Sequence, residues 1–517
     1  LRWDFSEREA AWRFSMASLD MEVLPHNPKL PDHFPVFYSS DKRTTNLVNQ
    51  FYYSHALNFG VGTPADWKEW QAIILNWTAS PMRDEQKVHF TGPAISENGY
   101  VHSWGANPGW PFPFEDHDQD GVNDLDTRHF TTNSSFILGA WRMYAWTRDE
   151  AFLRDVMPVL RKAMQFQLND LKGRDGIMII TAKGHEGRPD GIGSNYWDIL
   201  PFGYKCAFAN AQFYASLEAM AQLESYVAEK EIDLAGVKET PEFYRALRKR
   251  VRAQYNREFW DEKAGRYVGC IDIDGVKRDY GFTWVNMTAT AYDLADKRQV
   301  ERIYRWMETE PTSTGKADTY SAWKFAPRAN TIHNPPRTAP QTPHPSWWHE
   351  GWGGTPFGEQ CQDGGAILYT SWYDIVTRAR YLGVDNAYKR LKEMLDRYNK
   401  PDRLCGGSPL FYGESTQGGP GGCAGSVGVE GEFPESGLAP ASYLYAILGI
   451  DADIEGLKIR PNLPCGVKHA GIRNLSYAWK EYDIRVTRDK VEITPLAGGE
   501  KVVKKLAPGE TFVFTGI

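Results

Sequence analysis

The feature that most limits the fold is a recurrence of helical hydrophobic patterns. They fall near 6–20, 42–57, 65–77, 131–146, 149–170, 203–228, 240–257, 283–296, 297–309, 364–382, 384–397 and 436–449, about twelve in all by their period. Very long connections interrupt them at roughly every second helix. These lie near 80–130, 172–202, 310–363 and 399–435. Connections of that length inside a folded chain are usually functional rather than slack.

Helices that alternate between short and long connections suggest hairpins arranged in a ring, with inner and outer helices taking turns and the long connections gathered on one face. The expected fold is therefore mainly α, an (α/α)6 toroid. The absence of a visible internal repeat argues against a solenoid of near-identical units. After Gly449 the pattern changes. LKIRPNLP, AGIRNLSYAW, YDIRVTRD, KVEITPL and ETFVFTGI are short β-rich segments between turn residues. The division expected is a helical catalytic barrel over 1–450 and a small antiparallel β module over 451–517.

The net charge of -7 supplies no basic field for a nucleic-acid backbone, and no polybasic or membrane-spanning run is present. Neither nucleic acid nor a membrane is an expected partner. The 19 Trp, 26 Tyr and 25 Phe are concentrated partly in Gly/Pro-rich loops, around Trp104 and Trp110 and across Trp347, Trp348 and Trp352. Indole faces suit the apolar faces of sugar rings; the same rings can also plug a core from its loop side. The six cysteines show no metal-binding spacing, although Cys405 and Cys423 flank a glycine-rich loop that a disulfide could bridge. The first residue is Leu1 and no signal peptide is present, so removal of a leader or of an upstream piece is expected, with a periplasmic or secreted location favoured.

Asp198 is the leading candidate for chemistry. It follows Trp197 in the loop GIGSNYWDILPFG and precedes AFANAQFYASLEAMAQLESYVA, a long run of good helix formers. A carboxyl held against an indole and partly desolvated has its pKa raised, as a general acid requires. The plainer alternatives are that Asp198 caps the coming helix or pairs with Lys205.

Asp116, Asp118, Asp120 and Asp124 alternate around Gly121 in the manner of a calcium loop. Thr127 stands where such a loop ends in Glu, so structural calcium would need further ligands; a solvated acidic loop is the alternative. Arg128 and His129 follow and can bind sugar hydroxyls or neutralise that loop. Glu359, Gln360, Gln362 and Asp363 lie ahead of another buried helix and can bind sugar or cap it. Glu414, Glu430, Glu432 and Glu435 occupy the glycine-rich stretch before the last helix, where Glu435 also suits the helix N-terminal charge.

Taken together these stretches resemble the (α/α)6 glycosidases and glycoside phosphorylases, most closely the cellobiose phosphorylase group and more distantly glucoamylase. The resemblance covers roughly residues 127–517. Ser194-Asn-Tyr-Trp197-Asp198 looks like the acid-bearing loop, and Gln360-Cys-Gln-Asp-Gly-Gly365 like a Gln-Thr-Glu-Asn-Gly segment. The runs from Leu444 to Asp451 and from Gly456 to Pro461 look like the join to the β module. Two departures matter. Ala366–Tyr373 lacks the histidine that helps those phosphorylases hold phosphate, and their N-terminal β-sandwich has no counterpart. The resemblance thus implies an inverting, exo-acting hydrolase. Asp198 would be its acid, and Glu432, or Glu430 or Glu414, would activate water. Trp104, Arg128, His129, Trp197, Lys205, Trp348, Glu359, Gln360, Gln362, Asp363 and Glu435 are the candidate sugar contacts. Phosphorolysis, a lyase reaction and non-catalytic sugar binding are the alternatives.

Overall fold

A computed structural model describes residues 57, 60–79, 130–181, 185–188, 203–279, 281–309, 371–398 and 438–516, together with five short strands at 2–3, 23–24, 36–37, 45–46 and 104–105. Among these residues the helices are α1 (Pro64–Ala79), α2 (Thr132–Thr147), α3 (Glu150–Asn169), α4 (Ala207–Glu229), α5 (Pro241–Phe259), α6 (Thr283–Ala291), α7 (Lys297–Thr309), α8 (Ser371–Thr377), α9 (Val384–Tyr398) and α10 (Leu438–Tyr443). A π-helical turn continues α8 through Arg378–Leu382 and another continues α10 through Leu444–Leu448. The fold is mainly α with small antiparallel sheets, and no described helix is long and apolar enough to cross a membrane.

Burial separates the helices into two kinds. α2, α4, α6, α8 and α10 are buried on nearly every side over most of their length, as expected of helices apolar all round. α3, α5, α7 and α9 bury a single stripe. On α5 that stripe is Tyr244, Leu247, Val251, Tyr255 and Phe259, spaced three or four apart. The buried helices touch in succession, α2 with α4, α4 with α6, α6 with α8 and α8 with α10, while α3 packs on α2 and α5 on α4. The connections that follow the buried helices are the shorter ones, such as Arg148–Asp149 after α2 or Gly383 after the turn that continues α8. Helices joined so tightly run antiparallel. Each buried helix with a short connection after it therefore runs antiparallel to the one-sided helix that follows.

Side chains fix the two kinds to each other. The bidentate pair from Arg161 of α3 to Glu224 of α4, at 2.7 and 2.8 Å, is almost wholly buried, and the remaining guanidinium nitrogen caps the carbonyls of Leu234 and Ala235. Asp374 of α8 accepts from Arg378 at 2.7 Å and from Arg390 of α9 at 2.9 Å. Burial works to raise the Asp374 pKa, but the two guanidiniums overcome it and hold the carboxyl below its usual range.

The sequence expectation differs from the structure in several places. The helix expected over 42–57 is interrupted at Thr45–Asn46, which pairs antiparallel with Trp104–Gly105 inside the segment taken as loop. Two-residue strands cannot show a period, so the pairing leaves no local mark. Hairpins at Trp260–Tyr267 and Cys270–Arg278 were not expected either. The helices expected over 203–228 and 283–296 begin at Ala207 and end at Ala291 respectively. The helix expected over 6–20 lies outside the described residues. The β-rich tail forms two sheets rather than one. Ile450–Asp453, Gly456–Ile459 and Phe512–Phe514 make one; Ala470–Tyr477, Lys480–Thr487, Lys490–Pro495 and Val502–Lys505 make the other, with Arg2–Trp3 added at its edge against Ile472 and Arg473. The Phe514 ring meets Tyr482 at 5.3 Å and Tyr477 at 6.2 Å, joining the two sheets. The turn Ala478–Trp479 touches the helices: Ala478 N–H donates to the Trp146 carbonyl, and the Trp479 ring lies edge-on to Trp67 at 5.6 Å.

Candidate active site

The Asp198 loop leaves and rejoins the described fold at a clamp. Tyr204 N–H donates to the His185 carbonyl at 2.6 Å, and Ile180 N–H donates to the Tyr204 carbonyl at 2.7 Å. Gly203 sits so close that an added Cβ would lie 2.1 Å from the His185 oxygen and 2.3 Å from the Gly187 nitrogen. Glycine is required by contact here. The strand Lys205–Cys206 then pairs with Cys270–Ile271, which fixes the start of α4 directly after the loop. Gly203→Ala should push the loop base apart; since a displacement of about 1 Å can cost on the order of 100-fold in rate, activity should fall far more than the melting temperature. Equal activity in the variant and wild type would show that the clamp does not position the loop.

A second flagged segment ends beside this clamp. Phe130, which follows Arg128 and His129, meets the His185 ring edge-on at 5.2 Å. The starts of the next buried helices are also linked through their rings. Phe208 of α4 lies 5.1 Å from Trp284 of α6, and Trp284 lies 6.3 Å from Tyr373 of α8. Trp372 reaches Tyr445, beyond α10, at 5.8 Å. The starts of α4, α6 and α8 thus lie close together.

Two of the plainer roles weighed for Asp198 are filled by other groups. The N-cap of α4 is Cys206, whose Sγ accepts from Ala209 N–H at 3.4 Å, and Lys205 Nζ donates to Glu258 Oε2 of α5 at 2.7 Å. Trp104 is placed by its backbone, opposite Asn46. Asp198, Trp197, Arg128, His129, Trp348, Glu359, Gln360, Gln362, Asp363, Glu414, Glu430, Glu432 and Glu435 lie outside the described residues. So do Asp116, Asp118, Asp120, Asp124, Cys405 and Cys423. Among the described residues no group of acidic, histidine or cysteine side chains could hold a metal ion.

Around the start of α8 lies a cluster that sequence reasoning passed over. Arg142 of α2 donates to Tyr445 OH at 3.0 Å and to Asp451 Oδ1 at 3.1 Å, and its guanidinium lies 6.0 Å from the Trp372 ring. Tyr292, at the end of α6, meets Trp372 at 6.4 Å and Tyr373 at 6.1 Å. Burial raises the Tyr445 and Tyr292 phenols, and the nearby Arg142 charge works against it. Near neutral pH the two raised phenols stay neutral and Arg142 stays charged, while burial also raises the Asp451 carboxyl. The one advance sign was a charged Arg142 inside the otherwise apolar run FILGAWRMYAW.

No family model matches the chain, and no curated protein does. Solved structures match its fold. The GH78 family rhamnosidase of Bacillus sp. GL1 aligns with a TM-score of 0.55 at 13% identity, over 94% of this chain and 40% of its own. The chain thus spans less than half the length of that rhamnosidase. The GH63 mannosylglycerate hydrolase of Thermus thermophilus aligns with TM-scores of 0.51 in complex with Tris and 0.50 with Tris and D-glycerate, at 11% and 12% identity, over 83% of this chain and 99% of its own. Both are glycosidases of the α/α-barrel type, and the likeness is one of fold. Kinship with cellobiose phosphorylases or glucoamylase is not shown.

Proposed function

We propose that this chain is an inverting, exo-acting glycoside hydrolase on an (α/α)6 toroid, with a catalytic barrel over 1–450 and a β module over 451–517. The observation that carries the reading is the clamp at His185, Gly203 and Tyr204. It holds together the residues on either side of the Asp198 loop, and Phe130, directly after Arg128 and His129, packs on His185 beside it. That both fold relatives cleave glycosidic bonds supports the same conclusion. Asp198 protonates the leaving oxygen. Glu432 activates the attacking water, with Glu430 and Glu414 as rivals in the same glycine-rich stretch. Gly431 permits a sharp turn at Glu432, and Pro434 stiffens the approach to α10. Trp104, Trp197 and Trp348 stack on sugar rings, while Glu359, Gln360, Gln362 and Asp363 take hydroxyls.

Direct attack by water needs the two carboxyls roughly 6.5 to 9.5 Å apart, which leads to inversion. Aryl glycosides and oligosaccharides, tested with and without phosphate, decide the reaction class, and NMR of the first product gives its anomer. Inverted free sugar is expected. Phosphate-dependent release of a sugar 1-phosphate would establish a phosphorylase, and an unsaturated product absorbing in the ultraviolet would establish a lyase.

Structural calcium at Asp116, Asp118, Asp120 and Asp124 belongs to the same proposal. Binding to the native state stabilises it by mass action. Chelation should therefore lower the melting temperature more than the activity per folded molecule, and an unchanged melt would count against calcium.

A further inference from the structure

A cleft of about 460 Å³ opens between α5 and α7, and none of the residues of the His185–Gly203–Tyr204 clamp lines it. Its volume falls in the range of small-molecule sites, about 300 to 1,000 Å³. Because α5 turns its stripe from Tyr244 to Phe259 inward, a second face is left for the cleft. Lys249, Arg252, Ala253 and Asn256 lie on it, three or four residues apart. Leu294 and Asp296, in the connection before α7, and Gln299, in the first turn of α7, complete the lining.

The walls are tied to each other. Asn256 Nδ2 donates to the Arg252 and Leu294 carbonyls, each at 2.9 Å. Asp296 Oδ1 accepts from Gln299 N–H at 2.8 Å and Gln299 Oε1 from Asp296 N–H at 2.9 Å, a reciprocal cap on α7. Several polar atoms are left over. Gln299 is only 7% exposed, yet its amide nitrogen has no hydrogen bond among the described residues. Lys249 has neither an ion pair nor a hydrogen bond among them, and of the Arg252 guanidinium only Nε is bonded, to the Leu294 carbonyl at 3.4 Å.

These leftovers differ in what they ask of a ligand. Two cations on the α5 wall suit a carboxylate, through charge-assisted hydrogen bonds. On the α7 wall, Asp296 Oδ2 can accept from a hydroxyl, and the Gln299 amide nitrogen can donate to one. Ala253 and Leu294 add apolar surface that the face of a sugar ring would cover. Inorganic phosphate would meet the Asp296 charge and leave that apolar surface bare.

We infer that the cleft between α5 and α7 is a second carbohydrate site, one that takes an acidic sugar, with Lys249 and Arg252 on the carboxylate and Asp296 and Gln299 on the hydroxyls. Calorimetric titration of the whole protein tests it, using oligomers of glucuronate and of galacturonate, their neutral glucose and galactose counterparts, and inorganic phosphate. A uronate oligomer should bind, and its neutral counterpart should bind roughly tenfold more weakly or worse. Lys249→Ala and Arg252→Ala should each weaken uronate binding by a similar factor, since a hydrogen bond to a charged group is worth that much, while the melting temperature holds. Added salt should weaken it too. Uronate binding that is unchanged in both variants would place the sugar elsewhere and overturn the inference. So would neutral oligomers or phosphate binding as tightly as uronate, or no binding at all. None of these outcomes depends on cleavage, so a protein without glycosidase activity could still show the site, and an active one could lack it.

Discussion

Asp198→Asn should lower turnover on unactivated glycosides by roughly 100- to 10,000-fold, the range a positioned general acid contributes. Stability should change little, because Cys206 caps α4 and Lys205 is held by Glu258. The loss should be smaller for substrates with good leaving groups, which need less protonation at the transition state. KM should stay close to that of wild type, since the acid acts mainly in the transition state. The measurement is steady-state kinetics on paired substrates of high and low leaving-group pKa, with a thermal melt of each protein. Full activity in the variant would remove Asp198 from the mechanism, whereas equal losses on both substrates would point to a role other than proton donation.

The largest effect on stability is expected from Asp374→Asn. The carboxylate is almost wholly buried between Arg378 and Arg390, so the substitution removes the buried charge that both guanidiniums share, while Arg378 keeps Glu308 at 2.8 Å. Breaking a buried pair in this way costs about 3 to 5 kcal/mol. The pH dependence follows from the depressed pKa of Asp374. A carboxyl whose folded pKa lies below its unfolded value of about 3.9 contributes stability above that value. The contribution is lost as pH falls through the lower folded pKa. Denaturant titrations should therefore show a wide gap between wild type and variant at neutral pH that narrows only in strong acid. A gap below about 1 kcal/mol at neutral pH would assign the cluster the value of a surface pair instead.

Much of the helical frame was legible because its signal is local. AFANAQFYASLEAMAQLESYVA is apolar all round and becomes the buried α4, and KRQVERIYRWMET carries one apolar stripe and becomes the one-sided α7. The change of character after Gly449 likewise marks the strands that begin at Ile450. What stayed hidden depends on distant partners. Arg161 and Glu224 are 63 residues apart, and nothing near either one announces the pair. Thr45–Asn46 finds Trp104–Gly105 across a long insertion. The carboxylates expected to do the chemistry are a different case, because they lie in loops whose residue types show what they can do and whose spacing does not show where they meet.

The alternation of short and long connections has a consequence for how such a chain can change over time. The buried helices turn back through the shorter connections at one end, and there an insertion would disturb packing at once. At the other end the cost of lengthening a loop grows only with the logarithm of its length, about 0.6 kcal/mol for each doubling. A chain with this frame can exchange or extend its entering loops while the scaffold beneath keeps nearly the same stability. Such a frame can keep its helical architecture while sequence identity falls to the 11% to 13% seen with the solved structures it resembles.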